Sequence, residues 1–203
     1  MNERVCAWRR CSGTGFHSTG SASRHLRGMT LIELMVTIAI AAILAGLAAP
    51  SFKEMMANNQ LKSHASSLLS SLLQARSEAI KRNGQIVLCK SANGKECTTA
   101  GGWQQGWVMF ADANGNGVLD EDPPETVIQR TEPLTGNFSL TASDDEVVVH
   151  RLTYAGSGSA NGGEVEVTFL LCKVGSFSGK AREIFLSPTG RPKIREDTEE
   201  SCT

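Results

Sequence analysis

A cut in the peptide bond between Gly28 and Met29 would free an α-ammonium four residues from the carboxylate of Glu33. On a helix that spacing brings the two groups onto one face, where opposite charges attract. Glu33 otherwise stands unexplained. It falls inside an apolar run that continues from Met29 to Ala49 and breaks at Pro50. A carboxylate in a membrane-spanning segment costs about 2.5–3.5 kcal/mol on insertion scales, so its presence asks for a partner. A basic stretch, a small residue at a cut and about 20 apolar residues describe a signal or a membrane anchor, but neither explains the Glu.

Three further groups of residues could carry chemistry. Asp112, Asn114, Asn116 and Asp120 offer oxygen atoms at the spacing of a calcium loop, with Gly117 at its sharp turn. Pro123, however, occupies the place of the bidentate Glu. The competing and favoured reading is a polar hairpin turn, in which Asn-Gly pairs supply positive φ and the Asp and Asn side chains cap backbone N–H groups. Arg191, Lys193 and Arg195 alternate, so a strand would project them from one face as a row able to bind DNA phosphates. The acidic stretch Glu196–Glu200 follows at once and would weaken such a site. A solvated edge strand guarded by charge is the favoured alternative. His64 and His150 lie in no nucleophile, metal or acid–base motif. The Gly-rich segment Ser157–Gly163 leads into a strand rather than a helix, which makes it a loop and not a phosphate cradle. Trp103 and Trp107 fit core or interface anchors better than stacking platforms. No enzyme activity and no cofactor are expected.

Charge and cysteines depend on excluding residues 1–28. That segment holds five of the 20 Lys and Arg and one of the 21 Asp and Glu, leaving 15 basic against 20 acidic residues and a net charge of −5. Its basic character places it on the cytoplasmic side of a membrane. Beyond the cut remain Cys89, Cys97, Cys172 and Cys202. Four cysteines in an exported domain suggest two disulfides, with three connectivities open. Cys89–Cys97 and Cys172–Cys202 are favoured. The first pair brackets a turn-like Ser91–Gly94 segment, and the second would pin the acidic tail to the domain. Zinc is the rival, but seven residues between Cys89 and Cys97 do not match the close spacing of common zinc sites.

These groups need elements to hold them. From Leu61 the apolar residues Leu61, Ala65, Leu68, Leu69, Leu72, Leu73, Ala79 and Ile80 follow helical periodicity, and Asn83-Gly84 signals a stop. One helix from about Thr30 to Arg82, bent near Pro50, is expected. After Gly84 the chain alternates short apolar runs with turn residues: Gln85–Cys89, Gly106–Phe110, Thr126–Arg130, Phe138–Thr141, Val147–Leu152, Val165–Leu171 and Arg182–Leu186. In the Val165–Leu171 run, Val165, Val167, Phe169 and Leu171 share one face. The fold class is α+β: a long N-terminal helix, membrane-spanning in its first half, with an antiparallel β-rich head. The domain divisions are 1–28 (leader), 29–50 (membrane or filament-core helix), 51–84 (amphipathic continuation) and 85–203 (head).

The junction Gly28-Met29-Thr30-Leu31-Ile32-Glu33 resembles the cleavage motif of the type IV pilin and pseudopilin superfamily, with Met where Phe is commoner. Pro50 sits where many members carry a helix-kinking proline. Ala75–Arg82, Trp103–Phe110 and Ser187–Arg191 resemble the GspH/FimT branch, and the two expected disulfides lean towards FimT/FimU-like minor pilins. The resemblance implies that a prepilin peptidase cuts after Gly28 and methylates Met29. It also implies that Glu33 pairs with the N-terminus of a neighbouring subunit during filament assembly. The chain would then sit in the bacterial inner membrane as a single-pass protein with a periplasmic head, and enter a pilus or pseudopilus with other pilins. Its role would be to initiate, prime or cap a type IV pilus, with a type II secretion pseudopilin as the alternative. FimT-like proteins include members linked to DNA uptake through a Gly-Arg-x-Arg-like C-terminal motif. Gly190-Arg191-Pro192-Lys193 matches it imperfectly.

Overall fold

The computed structural model describes residues 28–142, 149–163, 166–175 and 181–198. Helix α1 runs from Leu31 to Arg82 without interruption. Thr30 caps its start: the Glu33 N–H donates to Thr30 Oγ1 at 3.3 Å, and Leu34 N–H bonds to the Thr30 carbonyl. The pair Thr30 and Glu33 thus forms half of a capping box, and the acidic side chain lies at the favourable end of the helix dipole. At the other end Asn83 takes φ +48°, its N–H reaches the Ile80 carbonyl, and Gly84 N–H reaches that of Ala79. These two bonds are a Schellman stop, which the Asn-Gly pair foreshadows. Glu78 receives Arg82 at 2.7 Å and Lys81 at 3.4 Å over the last turn.

The chain divides into two compact units, one ending at Leu44 and the other beginning at Ala45. In the second unit, α1 buries Ala57, Leu61, Ala65, Leu68, Leu72, Ala75 and Ala79. Steps of four and three along the helix put these residues on one stripe, with small Ala positions that allow close approach. Eight strands cover that stripe: β1 Gln85–Lys90, β2 Trp107–Asp112, β3 Thr126–Thr131, β4 Phe138–Ala142, β5 Arg151–Tyr154, β6 Val167–Lys173, β7 Ala181–Leu186 and β8 Pro192–Thr198. They form two four-stranded sheets, in the orders β3-β2-β1-β5 and β4-β6-β7-β8, with every pairing antiparallel. One core joins the helix stripe to Ile86, Leu88, Trp107 and Met109 of the first sheet and to Leu140, Phe169, Leu171 and Ile184 of the second.

The period of two along β1 sends Ile86 and Leu88 into that core and Val87 and Cys89 to the opposite face. There Val87, Cys89, Val108 and Phe110 form a second, smaller cluster under Cys97, Leu119 and Val127. On β6, Val167, Phe169 and Leu171 are buried, as their alternation predicts. All seven expected strands differ at one or both ends, mostly by one or two residues, and β8 is not among the expected runs; the fifth and sixth shift most. The fifth strand begins at Arg151 and continues to Tyr154, because Leu152 and Tyr154 both pair with β1 and enter the core; residues 147–148 of the expected run lie outside the described residues. The sixth runs from Val167 to Lys173, paired with Phe138; Val165 of the expected run lies outside the described residues. The Gly-rich loop also contains a short 3₁₀ turn, Asn161–Gly163.

Candidate assembly and binding surfaces

Gly28 and Met29 precede the helix, so the bond between them is in non-helical chain. From Met29 to Leu47 the large apolar side chains are exposed, among them Ile32, Met35, Ile38, Ile43 and Leu47. Helix α1 is long and apolar enough to cross a membrane. Glu33 is the only ionisable side chain between Met29 and Phe52, and its carboxylate has no partner among the described residues. An apolar helix face left open, with one unpaired charge near its start, is built for contact with something outside the chain.

Lys193 and Arg195 lie on β8, an edge strand of the second sheet, and Arg191 immediately precedes it. Arg191, Lys193 and Arg195 are all exposed, while Ile194 turns towards the core, so the alternation read from sequence holds for Lys193 and Arg195 within the strand. The register sets Lys193 opposite Phe185 and Arg195 opposite Glu183. Arg195 Nη1 meets Glu183 Oε1 at 3.0 Å, and its guanidinium lies 3.8 Å from the Phe185 ring centroid. Lys193 Nζ approaches the same ring at 5.6 Å. Arg195 is therefore already neutralised by an ion pair and held on an aromatic face. Arg191 is the member of the row with neither kind of partner among the described residues.

Arg191 instead shares a cleft of about 490 Å³ with Arg76, Ser157, Ser159 and Thr189. Arg76 comes from α1, the two serines from the loop after β5, and Thr189 from the turn between β7 and β8. Arg76 Nε donates to the Gly158 carbonyl at 3.0 Å, which anchors the guanidinium against that loop. Two glycines let these segments meet. Gly158 (φ +82°) passes so close to Ile80 that a Cβ would come within 2.8 Å of its Cδ1, and a Cβ on Gly190 (φ +75°) would overlap the Gly158 carbonyl. Sequence reasoning identified Arg191 but not its neighbours. Arg76 is an ordinary charged position of an amphipathic helix, and only the packing of two loops against it reveals the cleft.

The Asp112–Asp120 loop is closed by its own hydrogen bonds. Asp112 accepts from the Gly115 and Gly117 N–H groups at 2.7 and 2.8 Å. Asn114 and Asn116 cap Asn116 N–H and Val118 N–H, and both of their amide NH₂ groups donate to Asp120 Oδ2. Oxygens of all four side chains thus accept N–H donors within the loop, the bonding expected of a polar turn. Cys89 and Cys97 form a disulfide with Cα atoms 5.6 Å apart. Cys172 is also disulfide-bonded; Cys202, its expected partner, lies outside the described residues. His64 packs edge-on against Phe138 and donates to the Thr135 carbonyl at 3.0 Å, a structural role. Trp103 and Trp107 are buried in the core.

Comparison with known proteins agrees with this anatomy. The family model described as type II transport protein GspH matches residues 64–190, and the prokaryotic N-terminal methylation motif matches residues 23–49. The pilin-like protein PilA1 of Thermus thermophilus is 35% identical over 122 residues, covering 59% of this chain and 68% of that protein. The fimbrial protein EcpC of Eikenella corrodens is 37% identical over 119 residues, covering 58% of this chain and 76% of that protein. Among solved structures, the type IV minor pilin FimU of Pseudomonas aeruginosa superposes with a TM-score of 0.52 at 21% identity, covering 72% of this chain and 95% of FimU.

Proposed function

Since the chain belongs to the GspH family of pilins and pseudopilins and carries the N-terminal methylation motif, we propose that it is a minor pilin that helps initiate, prime or cap a type IV pilus. The observation that carries this reading is the open apolar face of α1 from Met29 to Leu47, with Glu33 as its one charge. Such a face is stable in lipid before assembly and against the helices of other pilins afterwards. Cleavage between Gly28 and Met29 gives the Met29 ammonium, which methylation keeps charged. Glu33 then pairs with the ammonium of an adjacent subunit, and removing both charges from water together offsets the cost of burying either. The protein stands in the inner membrane with its β-rich head in the periplasm until it is drawn into the filament. It works through contact with other pilins and needs no catalytic group of its own.

The relatives' names support the pilus side: one is pilin-like and one fimbrial. The family's own description favours a second reading, a pseudopilin of type II secretion. A third, DNA binding, draws on the exposed row Arg191, Lys193 and Arg195, and is weakened by the Glu183–Arg195 pair. The test is the intact mass and N-terminal sequence of membrane-extracted protein from cells with and without prepilin peptidase. A chain starting at N-methylated Met29, found only with the peptidase, is expected; an uncut chain would reduce residues 29–49 to a plain anchor. Deletion of the gene then separates the first two readings, by loss of pili or by loss of protein export.

A further inference from the structure

We propose that the cleft lined by Arg76, Ser157, Ser159, Thr189 and Arg191 binds a phosphomonoester, the terminal phosphate of a small molecule. Two arginines from separate elements line one cavity, and no carboxylate is among its lining residues. Neither arginine has an ion pair among the described residues, although both Glu78 on the same helix and Glu183 on the neighbouring strand are taken by other cations. Unpaired like charges facing one cleft repel each other, and an anion between them relieves that repulsion.

The donor set favours a tetrahedral dianion. Arg76 uses Nε on the Gly158 carbonyl and keeps both terminal nitrogens for a ligand. The Ser157 and Ser159 hydroxyls share one hydrogen bond at 2.9 Å, so one of their two protons remains to donate. With Arg191 added, the donors exceed what two carboxylate oxygens accept in one plane, whereas three phosphate oxygens spread over three directions. A monoester phosphate also brings close to two negative charges at neutral pH against two guanidiniums; a DNA phosphodiester brings one. The cleft, at about 490 Å³, has room for more than the phosphate itself. This site is independent of the filament reading. It shares Arg191 with the basic row but excludes Lys193 and Arg195.

The experiment uses the full chain in detergent micelles, titrated calorimetrically at fixed ionic strength. The probes are inorganic phosphate, a nucleoside monophosphate and a dinucleotide whose only phosphate is a diester. Saturable binding of the first two is expected, at least tenfold tighter than the diester. Arg76→Gln and Arg191→Gln should each weaken it tenfold or more, and Lys193→Gln should leave it within twofold. Because Arg76 also anchors Gly158, Thr189→Val and Arg76→Lys serve as milder variants. If both fold and bind phosphate as the wild type does, the cleft is not the site. Absence of saturable phosphate binding by the wild type overturns the proposal. So does a diester that binds as well as the monoester and is lost in Lys193→Gln, which would assign the anion to the strand row.

Discussion

The indole N–H of Trp107 donates to Ser71 Oγ at 3.0 Å, inside the contact between α1 and the first sheet, where both residues are buried. Ser71 in turn donates to the Ser67 carbonyl and accepts a second bond from Gln129 Nε2 at 3.2 Å. One hydroxyl on an otherwise apolar stripe thus fixes the helix against β2 and β3 at once. Ser71→Ala would leave the Trp107 N–H buried without an acceptor, at a cost of about 1–3 kcal/mol. Denaturant unfolding of the full chain, followed by tryptophan fluorescence, should show that loss, with Ser70→Ala on the exposed face as a near-neutral control. Equal midpoints for the two variants would mean that the hydroxyl does not lock the interface.

The Cys89–Cys97 bridge closes a short loop over the smaller cluster on the outer face of the first sheet. Lys90 supports the same loop from the next position, donating to the Thr99 and Gly101 carbonyls at 3.1 and 2.7 Å. Chain entropy for a loop of this size gives about 2.5 kcal/mol of stabilisation. Cys97→Ala paired with Cys89→Ala should lower unfolding stability by about that amount while the helix-facing core stays intact. A near-native far-UV spectrum with an earlier unfolding midpoint is the expected result.

At the Asp112–Asp120 loop the expected outcome is insensitivity to calcium. Asp112 holds the Gly115 and Gly117 N–H groups, and Asp120 Oδ2 already receives two amide groups. Asp112→Ala should cost about 1–2 kcal/mol through the two lost caps. Millimolar calcium should neither raise the melting temperature of the wild type nor rescue the variant. A calcium-dependent rise in melting temperature would restore the cation reading.

What the sequence made legible follows the strength of each local signal. The helix stop at Asn83-Gly84, the buried stripe from Leu61 to Ala79 and the alternation of Val167, Phe169 and Leu171 are set by near-neighbour chemistry, and the structure matches them. The Cys89–Cys97 pair was readable for a similar reason, since only eight positions separate its members. The split into two sheets was not readable, because strand order depends on which distant runs pair. Nor was the neutralisation of Arg195, for Glu183 lies twelve positions away and meets it only through the β7–β8 register. The cleft was hidden for the same physical reason: its lining residues come from three distant segments.

Tyr154 is the single tyrosine of the chain, which makes its titration directly observable. Burial in the core pushes its phenol well above the usual range, with the nearby Arg76 charge acting weakly in the opposite direction. Its hydroxyl has no hydrogen-bond partner among the described residues. Below the ordinary phenol pKa of about 10 both folded and unfolded chains are protonated, and the contribution to stability is complete. Above it the unfolded chain ionises first, so this contribution falls as pH rises. Folded protein at pH 11 should show little tyrosinate absorbance, which should appear on unfolding. Tyr154→Phe should be near-neutral at pH 7 and more stable than wild type above pH 10. Ready ionisation in the folded state would contradict the burial.

Glu33 offers the sharpest separation of processing from assembly. Its backbone N–H is capped by Thr30 Oγ1, and that bond does not use the carboxylate. Glu33→Gln therefore keeps the side-chain size and the helix start, and removes the one charge from the open apolar face. Insertion should become easier by up to about 2.5–3.5 kcal/mol, since no carboxylate enters the bilayer. Cleavage between Gly28 and Met29 should persist, because the bond stands in non-helical chain before the helix. Incorporation into sheared filaments should nevertheless fall at least tenfold, for the Met29 ammonium of an adjacent subunit would have no counter-charge to meet in a low-dielectric core. Immunoblots of sheared and membrane fractions read both steps in one experiment. A cleaved Glu33→Gln protein that enters filaments at wild-type levels would remove Glu33 from the assembly contact, and leave the exposed Met29–Leu47 face to act by apolar packing alone.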